Sequence, residues 1–218
     1  MHLVKGINIE YSEVNFSGNT FYTANVTSYS KRKIEAFKKR AKYPIILPTD
    51  NRIKRLKYQV TANTIFKIFE DKPINIALFD KECRIIHLLP RLLSKSRSVY
   101  VYTLYPDIYE KENSRIFSAI GASAVISDSP VLPRDIAAVI TSENLQFTGI
   151  PTFGEHGYFA ENVPLVFKNH SLLTLPEYCD IYTVLLGLLE YGKIKSIGEA
   201  TSEKLRRNNI IFNIKNLP

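Results

Sequence analysis

Four short apolar runs at regular spacing constrain the fold of this chain more than any other feature of its sequence. They are INIALF (74–79), SVYVYT (98–103), ASAVIS (122–127) and IAAVIT (136–141). Runs of this length without strict alternation are typical of strands that are covered on both faces of a parallel sheet. Right-handed crossovers between such strands give a doubly wound arrangement. The pattern therefore predicts an α/β fold with a mostly parallel sheet.

The segments between these runs carry helix signals. Residues 81–95 predict a helix interrupted by a proline, with Asp80 and Glu82 at its start, where carboxylates satisfy free amide groups and suit the helix dipole. Residues 107–120 predict a second helix, which ends at Gly121. Strands that alternate with helices in this way indicate parallel pairing.

The two ends of the chain predict a small α+β module before the sheet and a helical region after it. Residues 2–27 alternate apolar and polar residues around Ser-Gly-Asn and indicate an antiparallel hairpin. A helix over 30–42, a short strand at YPIILP and a helix from Asp50 through TIFKIF follow. Near the other end, 176–192 predicts a strongly apolar helix, and the chain from Ser196 predicts a further helical tail.

Residues 73–141 resemble a Rossmann-type NAD(P)-binding domain, because the buried run INIALF leads directly into a predicted helix. The whole chain is similar to small uncharacterised Rossmann-like proteins of low-GC bacteria, in which a short N-terminal module precedes the sheet and an apolar helix follows it. We expect an N-terminal hairpin and basic helices at 1–72, a Rossmann-like doubly wound core at 73–145, and a loop with apolar C-terminal helices at 146–218.

The dinucleotide motif of that family is incomplete in this chain. In the family, a G-x-G-x-x-G turn lets the backbone approach the pyrophosphate. The matching residues 79–84 read F-D-K-E-C-R, so Asp80 and Glu82 would oppose a phosphate and Lys81 would compensate in part. Thr103 stands where the family carries an acidic residue for the adenosine ribose. We therefore predict no cofactor; NAD(P) is an alternative that no glycine motif supports.

A second comparison starts from the carboxylate that ends the first strand. Phosphoacceptor receiver domains carry clustered acids there, an acceptor aspartate on a central strand and a lysine on a later one. Asp128 follows the third run, but no lysine ends a later strand. We interpret Asp80 and Asp128 as residues that cap the segments after them.

Any ligand site of such a fold is expected where the carboxyl ends of the strands converge. The loop GIPTFGEHGYF (149–159) can close over that edge and carries Glu155 beside His156, which is an acid/base pair or a solvated turn. Ser129, Ser142 and Glu143 also follow strands. The candidate cofactor-binding or ligand-binding residues are Asp80, Lys81, Thr103, Ser127, Asp128 and Thr141.

The net charge of +8 is concentrated in one segment. Residues 31–57 contain eleven basic and two acidic residues, a local charge of +9. Two amphipathic helices with basic polar faces are suited to nucleic acid backbone or to an anionic surface, and equally to a solvated surface. The basic surface comprises Lys31, Arg32, Lys38, Lys39, Arg52 and Arg55.

The remaining composition bounds the setting of the protein. Cys83 and Cys179 are far apart in sequence, and the four histidines show no metal-ligand spacing, so neither a disulfide framework nor a metal site is predicted. No apolar stretch approaches the roughly 20 residues that span a bilayer. We expect a soluble, cytoplasmic protein that forms a homo-oligomer, a dimer, through the apolar helix at 176–192.

These observations lead to one leading hypothesis and two alternatives. The leading hypothesis is a non-catalytic or degenerate Rossmann-like protein that binds a small ligand or a protein partner, with no catalytic residue assigned. The first alternative is an NAD(P)-dependent oxidoreductase with an atypical phosphate site. The second is binding of nucleic acid or an anionic surface through residues 31–57.

Overall fold

The computed structural model describes residues 9–16, 19–26, 39, 51–154, 165–166, 172–173, 180–190, 195–198 and 200–202. Several predicted features lie outside these residues: the helix over 30–42 apart from Lys39, which is helical and exposed, the strand YPIILP, and the predicted helical tail beyond Ser202. The start of that tail is described and is not helical, so the prediction was wrong there: 195–198 form a bend and a turn, and Thr201–Ser202 form a strand.

The helices and strands follow the order that the sequence pattern predicts in the central part of the chain. A single turn of 3-10 helix (Ile86–Leu88) directly precedes the short α-helix that starts at Leu89. The strands are β1 (Ile9–Phe16), β2 (Asn19–Val26), β3 (Asn75–Phe79), β4 (Ser98–Tyr102), β5 (Val125–Ser127), β6 (Ala138–Thr141), β7 (Thr152–Phe153), β8 (Leu165–Val166), β9 (Leu172–Leu173) and β10 (Thr201–Ser202), and the helices are α1 (Asn51–Ile68), α2 (Leu89–Leu93), α3 (Pro106–Ile120) and α4 (Ile181–Glu190).

Five of the strands form one all-parallel sheet. Its order is β5-β4-β3-β6-β7, so β3 is central and the strand order along the chain reads 3-2-1-4-5. Helices alternate with the first three strands. This architecture confirms the prediction of an α/β fold with a parallel sheet and is consistent with a Rossmann-like fold.

The two faces of the sheet are covered by different kinds of structure. Ile76 and Leu78 of β3 face a core cluster to which α1, α2 and α3 all contribute. Ala77 and Phe79 alternate to the opposite face, where the partners come from the connecting segments, among them Ile136 and Phe147. Every residue of β3 and β6 is buried, whereas β4 is only half-buried on the second face.

The helix predicted over 81–95 is shorter and starts later than expected. Residues 81–85 form turns, the 3-10 turn follows, and α2 covers only Leu89–Leu93, with Pro90 at its start. Proline fits the first turn of a helix because its missing N–H group has no partner there. Pro90 therefore lies in the first turn of the α-helix that the sequence analysis predicted it to interrupt.

Helices α1 and α3 form as the sequence predicts. Ile53, Leu56 and Val60 are buried on one face of α1, which ends before Glu70 and Asp71, two residues with positive φ. Pro106 begins α3. Gly121 adopts a left-handed φ of 70° after it and donates its N–H to Phe117, which is the usual glycine terminator of a helix.

The chain separates into two compact units. The first comprises Met1–Leu56 with Asn162–Gly198, and the second comprises Lys57–Glu161 with Glu199–Pro218. The second unit contains the parallel sheet. The sequence-based division into 1–72, 73–145 and 146–218 stays a prediction.

The first unit contains the hairpin and the apolar helix. β1 and β2 pair in antiparallel register from Ile9 with Val26 to Phe16 with Asn19, which confirms the predicted hairpin. β8 and β9 are also antiparallel. Asp180 directly precedes α4 and accepts hydrogen bonds from the backbone N–H and the hydroxyl of Thr183 in the first turn of the helix.

Five residues of α4 are buried within a single chain: Ile181, Tyr182, Leu185, Leu186 and Leu188. The homo-oligomer predicted through 176–192 stays a prediction. Among the helices that the structure describes, none combines the length and the apolar character needed to cross a membrane.

Candidate functional site

The carboxyl end of the central strand is organised around Asp80. The residue follows β3 directly, and its backbone N–H donates to the carbonyl of Tyr102 at 2.9 Å, so the strand pairing continues up to this position. The Asp80 side chain has no exposed surface. In this fold class the carboxyl end of the central strand is where the phosphate of a ligand usually sits.

Both oxygens of the Asp80 carboxylate are fully used by donors from the protein. Oδ1 accepts hydrogen bonds from the Arg84 backbone N–H at 2.8 Å and the Ser142 hydroxyl at 2.7 Å. Oδ2 accepts them from the Ile85 backbone N–H at 2.8 Å and the Tyr109 hydroxyl at 2.7 Å. An ionised carboxylate offers about four acceptor positions, so none remains for a ligand.

The turn at 81–85 wraps its backbone around this carboxylate. Cys83 lies in the left-handed region with a φ of 57°, where glycine is usual. Its N–H donates to the Asp80 carbonyl at 3.4 Å. Asp80 caps backbone amides as the sequence predicts, but they belong to a turn and not to an α-helix. Glu82 lies exposed and pairs with Arg84.

Tyr109 completes the network from the first turns of α3. Its ring is fully buried, and burial, followed by the negative charge of Asp80, raises the pKa of its hydroxyl well above the ordinary value. The hydroxyl therefore remains a donor to Asp80 throughout the physiological range. Nothing in the local sequence pattern singled out this residue, because its partner is 29 positions away.

The end of β6 supplies a second group of contacts. The Thr141 carbonyl accepts from the buried Tyr58 hydroxyl at 2.9 Å, and the Thr141 hydroxyl accepts from the Glu143 N–H at 2.9 Å. Gly154, the residue after β7, lies so close to the end of β6 that a Cβ there would be 2.4 Å from the Thr141 carbonyl oxygen. The glycine is needed for this approach. Thr141 is therefore a packing residue at the strand end.

Thr103, Lys81 and Cys83 meet after β4. The Thr103 hydroxyl lies 3.3 Å from the Lys81 carbonyl and 3.5 Å from the Cys83 sulfur, and it accepts the Tyr105 N–H at 3.2 Å. Thr103 is buried, while Lys81 and Cys83 are half-buried. The position that carries the ribose-binding acid in the resembled family is here used to join two turns of the backbone.

Ser127 and Asp128 lie at the outer end of the sheet. The Ser127 carbonyl accepts the Thr103 N–H at 3.1 Å, and its hydroxyl accepts the Ser129 N–H at 3.0 Å. Asp128 is exposed. Of the six candidates, the structure thus joins Thr103 directly to Lys81 and Ser127. The Asp80 carboxylate bonds to none of the other five candidates, and its side-chain partners Tyr109 and Ser142 stand outside that set of six.

The polar groups at these strand ends bond to one another, so few side chains remain that could take part in a reaction. Asp80 cannot act as a general base on a ligand, because it is buried and its four acceptor positions are occupied. No group of three His, Cys, Asp or Glu side chains suited to a metal ion occurs in the described part of the chain. Glu155 and His156 lie outside the described residues.

The basic segment is described only from Asn51 onward, apart from Lys39. Arg52 and Arg55 are exposed on α1 opposite the buried Ile53 and Leu56, which agrees with the predicted amphipathic pattern. Arg52 forms an ion pair with Glu190. Lys31, Arg32 and Lys38 lie outside the described residues.

Comparison with known proteins does not identify a family for this chain. No protein-family model, no curated protein and no solved structure matches it.

Proposed function

We propose that this chain is a non-catalytic Rossmann-like protein that binds a small ligand or a protein partner and has lost the dinucleotide site of the family it resembles. The observation that carries the proposal is the Asp80 carboxylate, which occupies the carboxyl end of β3 with four internal hydrogen bonds. A fixed anion of the protein thus takes the place in which the resembled family holds a phosphate.

Electrostatics supports this proposal. A phosphate that approached the turn at 81–85 would meet the Asp80 charge at the same amide groups, and two like charges 4 Å apart repel by about 4 kcal/mol at an effective dielectric constant of 20. The amides of Arg84 and Ile85 already donate at 2.8 Å. Arg84 also pairs with Glu82, which reduces its value as a phosphate ligand.

The runner-up, an NAD(P)-dependent oxidoreductase with an atypical phosphate site, is tested by titration. The chain has no tryptophan, so the fluorescence of NADH and NADPH can be followed without an intrinsic indole signal. We expect no saturable change up to millimolar cofactor and no rise in the melting temperature. Specific binding would stabilise the fold by about 2.7 kcal/mol at a cofactor concentration one hundred times the dissociation constant, and such a rise would contradict the proposal.

A second candidate function, binding of nucleic acid or an anionic surface through residues 31–57, rests on the exposed basic positions of α1. We expect such binding to weaken steeply with salt, because each neutralised phosphate releases a counterion. Retention on heparin and on duplex DNA is the measurement. Arg55→Gln removes one exposed charge, and Arg134→Gln outside the segment is the control. Loss of retention in the control alone would contradict the assignment.

A further inference from the structure

The two edges of the parallel sheet differ in how they are covered. At one edge, Thr152 and Phe153 of β7 are buried. At the other edge, β5 is bonded to β4 alone among the described strands. Three large apolar side chains around it are more than half exposed: Phe117 at 57%, Ile120 at 52% and Val125 at 58%. These three residues together with Ile126 are called the β5 edge surface.

Hydrogen bonds fix the position of α3 against this edge. The Asn113 side-chain amide donates to the Ala124 carbonyl at 3.2 Å, and its oxygen accepts the Ala124 N–H at 2.8 Å. Phe117 lies one turn after Asn113 on the same side of the helix. Val125 follows Ala124 and pairs in register with Tyr100 of β4. The Val125 side chain lies on the face of the sheet opposite α3. The apolar residues therefore surround the edge on both sides.

The backbone of Ile126 points away from the sheet. The Ser127 carbonyl accepts the Thr103 N–H, so the backbone groups of Val125 and Ser127 face β4. In a parallel strand the neighbouring residues face the other way, which directs Ala124 and Ile126 outward. Asn113 satisfies both groups of Ala124. The N–H and carbonyl of Ile126 are thus the outward pair at the centre of β5.

We propose that a second copy of this chain docks on the β5 edge surface, with the two β5 strands antiparallel about a two-fold axis at Ile126. In that arrangement each Ile126 N–H donates to the carbonyl of the other copy, and Phe117 and Ile120 of both copies cover the apolar edge. The inference concerns a surface apart from the carboxyl-end site, so it does not depend on the function proposed for that site.

The short reach of this edge favours a second copy over an extended peptide. A peptide that adds a strand needs several consecutive outward residues, but Asn113 already occupies those of Ala124. A symmetric pair needs one outward residue at its centre, because the same surface meets itself. Residues 122–127 also contain no charged residue and no proline, which are two of the devices by which natural edges resist pairing.

The size of the surface indicates a weak dimer. With about half of each side chain exposed, the three apolar residues present roughly 250 Å² per copy, judged against the 150–250 Å² of one aromatic side chain. This is slightly smaller than the largest apolar patch of a typical monomer, which covers roughly 300–600 Å². A standard interface covers about 800 Å² per partner, so the rest must come from the polar flanks of α3 and β5.

Sedimentation of the full chain over a wide concentration range tests the proposal. We expect a reversible equilibrium between monomer and dimer in the unmodified protein. Phe117→Glu and Val125→Lys, on different elements of the edge, are each expected to raise the dimer dissociation constant at least tenfold. Ile108→Glu is the matched control, because Ile108 is 50% exposed on another face of the same helix, and it should leave the constant unchanged.

Each other outcome overturns the proposal. A monomer at all concentrations removes the dimer, and a dimer that persists in both edge variants places the contact elsewhere, for example at the apolar helix 176–192. Equal loss in Ile108→Glu shows that the effect is not specific to the edge. Circular dichroism confirms folding of every variant; if Phe117→Glu fails to fold, Val125→Lys decides.

Discussion

The carboxyl end of β3 and the outer edge at β5 differ in how much of their surface and hydrogen-bonding capacity the chain itself uses. At the strand end, Asp80 is fully buried and its four hydrogen bonds all come from the chain itself. At the edge, Phe117, Ile120 and Val125 are more than half exposed. The position that this fold class uses for ligands is internally satisfied, and the capacity for new contacts lies at the edge.

In both regions a side chain of the protein makes hydrogen bonds that a ligand or a neighbouring strand could otherwise make, but to different extents. The Asp80 carboxylate binds two backbone amides and two hydroxyls. The Asn113 amide binds the two backbone groups of a single residue, Ala124. The side chain that satisfies every polar group of a site leaves no position for a ligand. Asn113 satisfies only Ala124, so the backbone groups of Ile126 remain available to a second copy. Four substitutions test this contrast.

The largest effect is expected from Asp80→Ala. The change leaves two amides and two hydroxyls without their acceptor, and because each unsatisfied buried group costs about 1–3 kcal/mol while water reaches some of them, we expect a loss of about 4 kcal/mol. Urea unfolding measures it. Asp128→Ala, which removes an exposed carboxylate, should change stability by less than about 0.5 kcal/mol. Similar losses in the two variants would remove the distinction.

Gly154→Ala should rank second. Its Cβ would lie 2.4 Å from the Thr141 carbonyl oxygen, a backbone atom that cannot move aside without disturbing β6, so we expect a loss of about 2–3 kcal/mol. Gly149→Ala provides the comparison. Gly149 has a φ of 77° but open space around it, and the left-handed backbone alone should cost about 1 kcal/mol. The reverse order in thermal unfolding would contradict the close approach.

Tyr109→Phe removes one donor from Asp80 and leaves the ring in place. Hydrogen bonds to charged groups contribute about 1.5–3 kcal/mol, and we expect a loss near the lower value at neutral pH. Asp80 then keeps three of its donors. A loss as large as that of Asp80→Ala would show that the tyrosine hydroxyl, and not the carboxylate, organises the turn.

The same variant gives a pH dependence. Burial and the negative charge of Asp80 raise the pKa of Tyr109 in the folded state above the ordinary tyrosine value of about 10. Stability from this group is therefore complete below pH 10 and falls at higher pH as the unfolded chain ionises, by about 1.4 kcal/mol per pH unit. The difference between the unmodified protein and Tyr109→Phe should shrink above pH 10. A constant difference would exclude the raised pKa.

Asn113→Ala should have the smallest effect on stability. Water can replace the amide at the half-buried edge, so we expect a loss of about 0.5–1 kcal/mol. The change also frees the outward groups of Ala124, which lengthens the edge available to a second copy. Sedimentation should show tighter self-association than in the unmodified protein. Weaker association would mean that Asn113 belongs to the contact itself.

The parts of the fold that the sequence predicted correctly are those set by signals within a single helix or strand. The apolar run of β3, the spacing of Ile53 and Leu56, and Gly121 after α3 each act within one element, and their predictions are confirmed. The start of the helix expected at 81–95 was wrong, because its first residues are held by Asp80, which is fixed in turn by Tyr109 and Ser142. These partners are 29 and 62 positions away, beyond the range of any periodicity.

The distances in sequence between Asp80 and its partners have a consequence for the order of folding. Tyr109 can reach the carboxylate once β4 and α3 have formed beside β3, but Ser142 arrives only when β6 pairs with the other side of that strand. Loop closure becomes more costly with length. Until β6 pairs with β3, the carboxylate lacks the Ser142 donor, so we expect the pairing of β6 and the ordering of the turn at 81–85 to occur as one cooperative step.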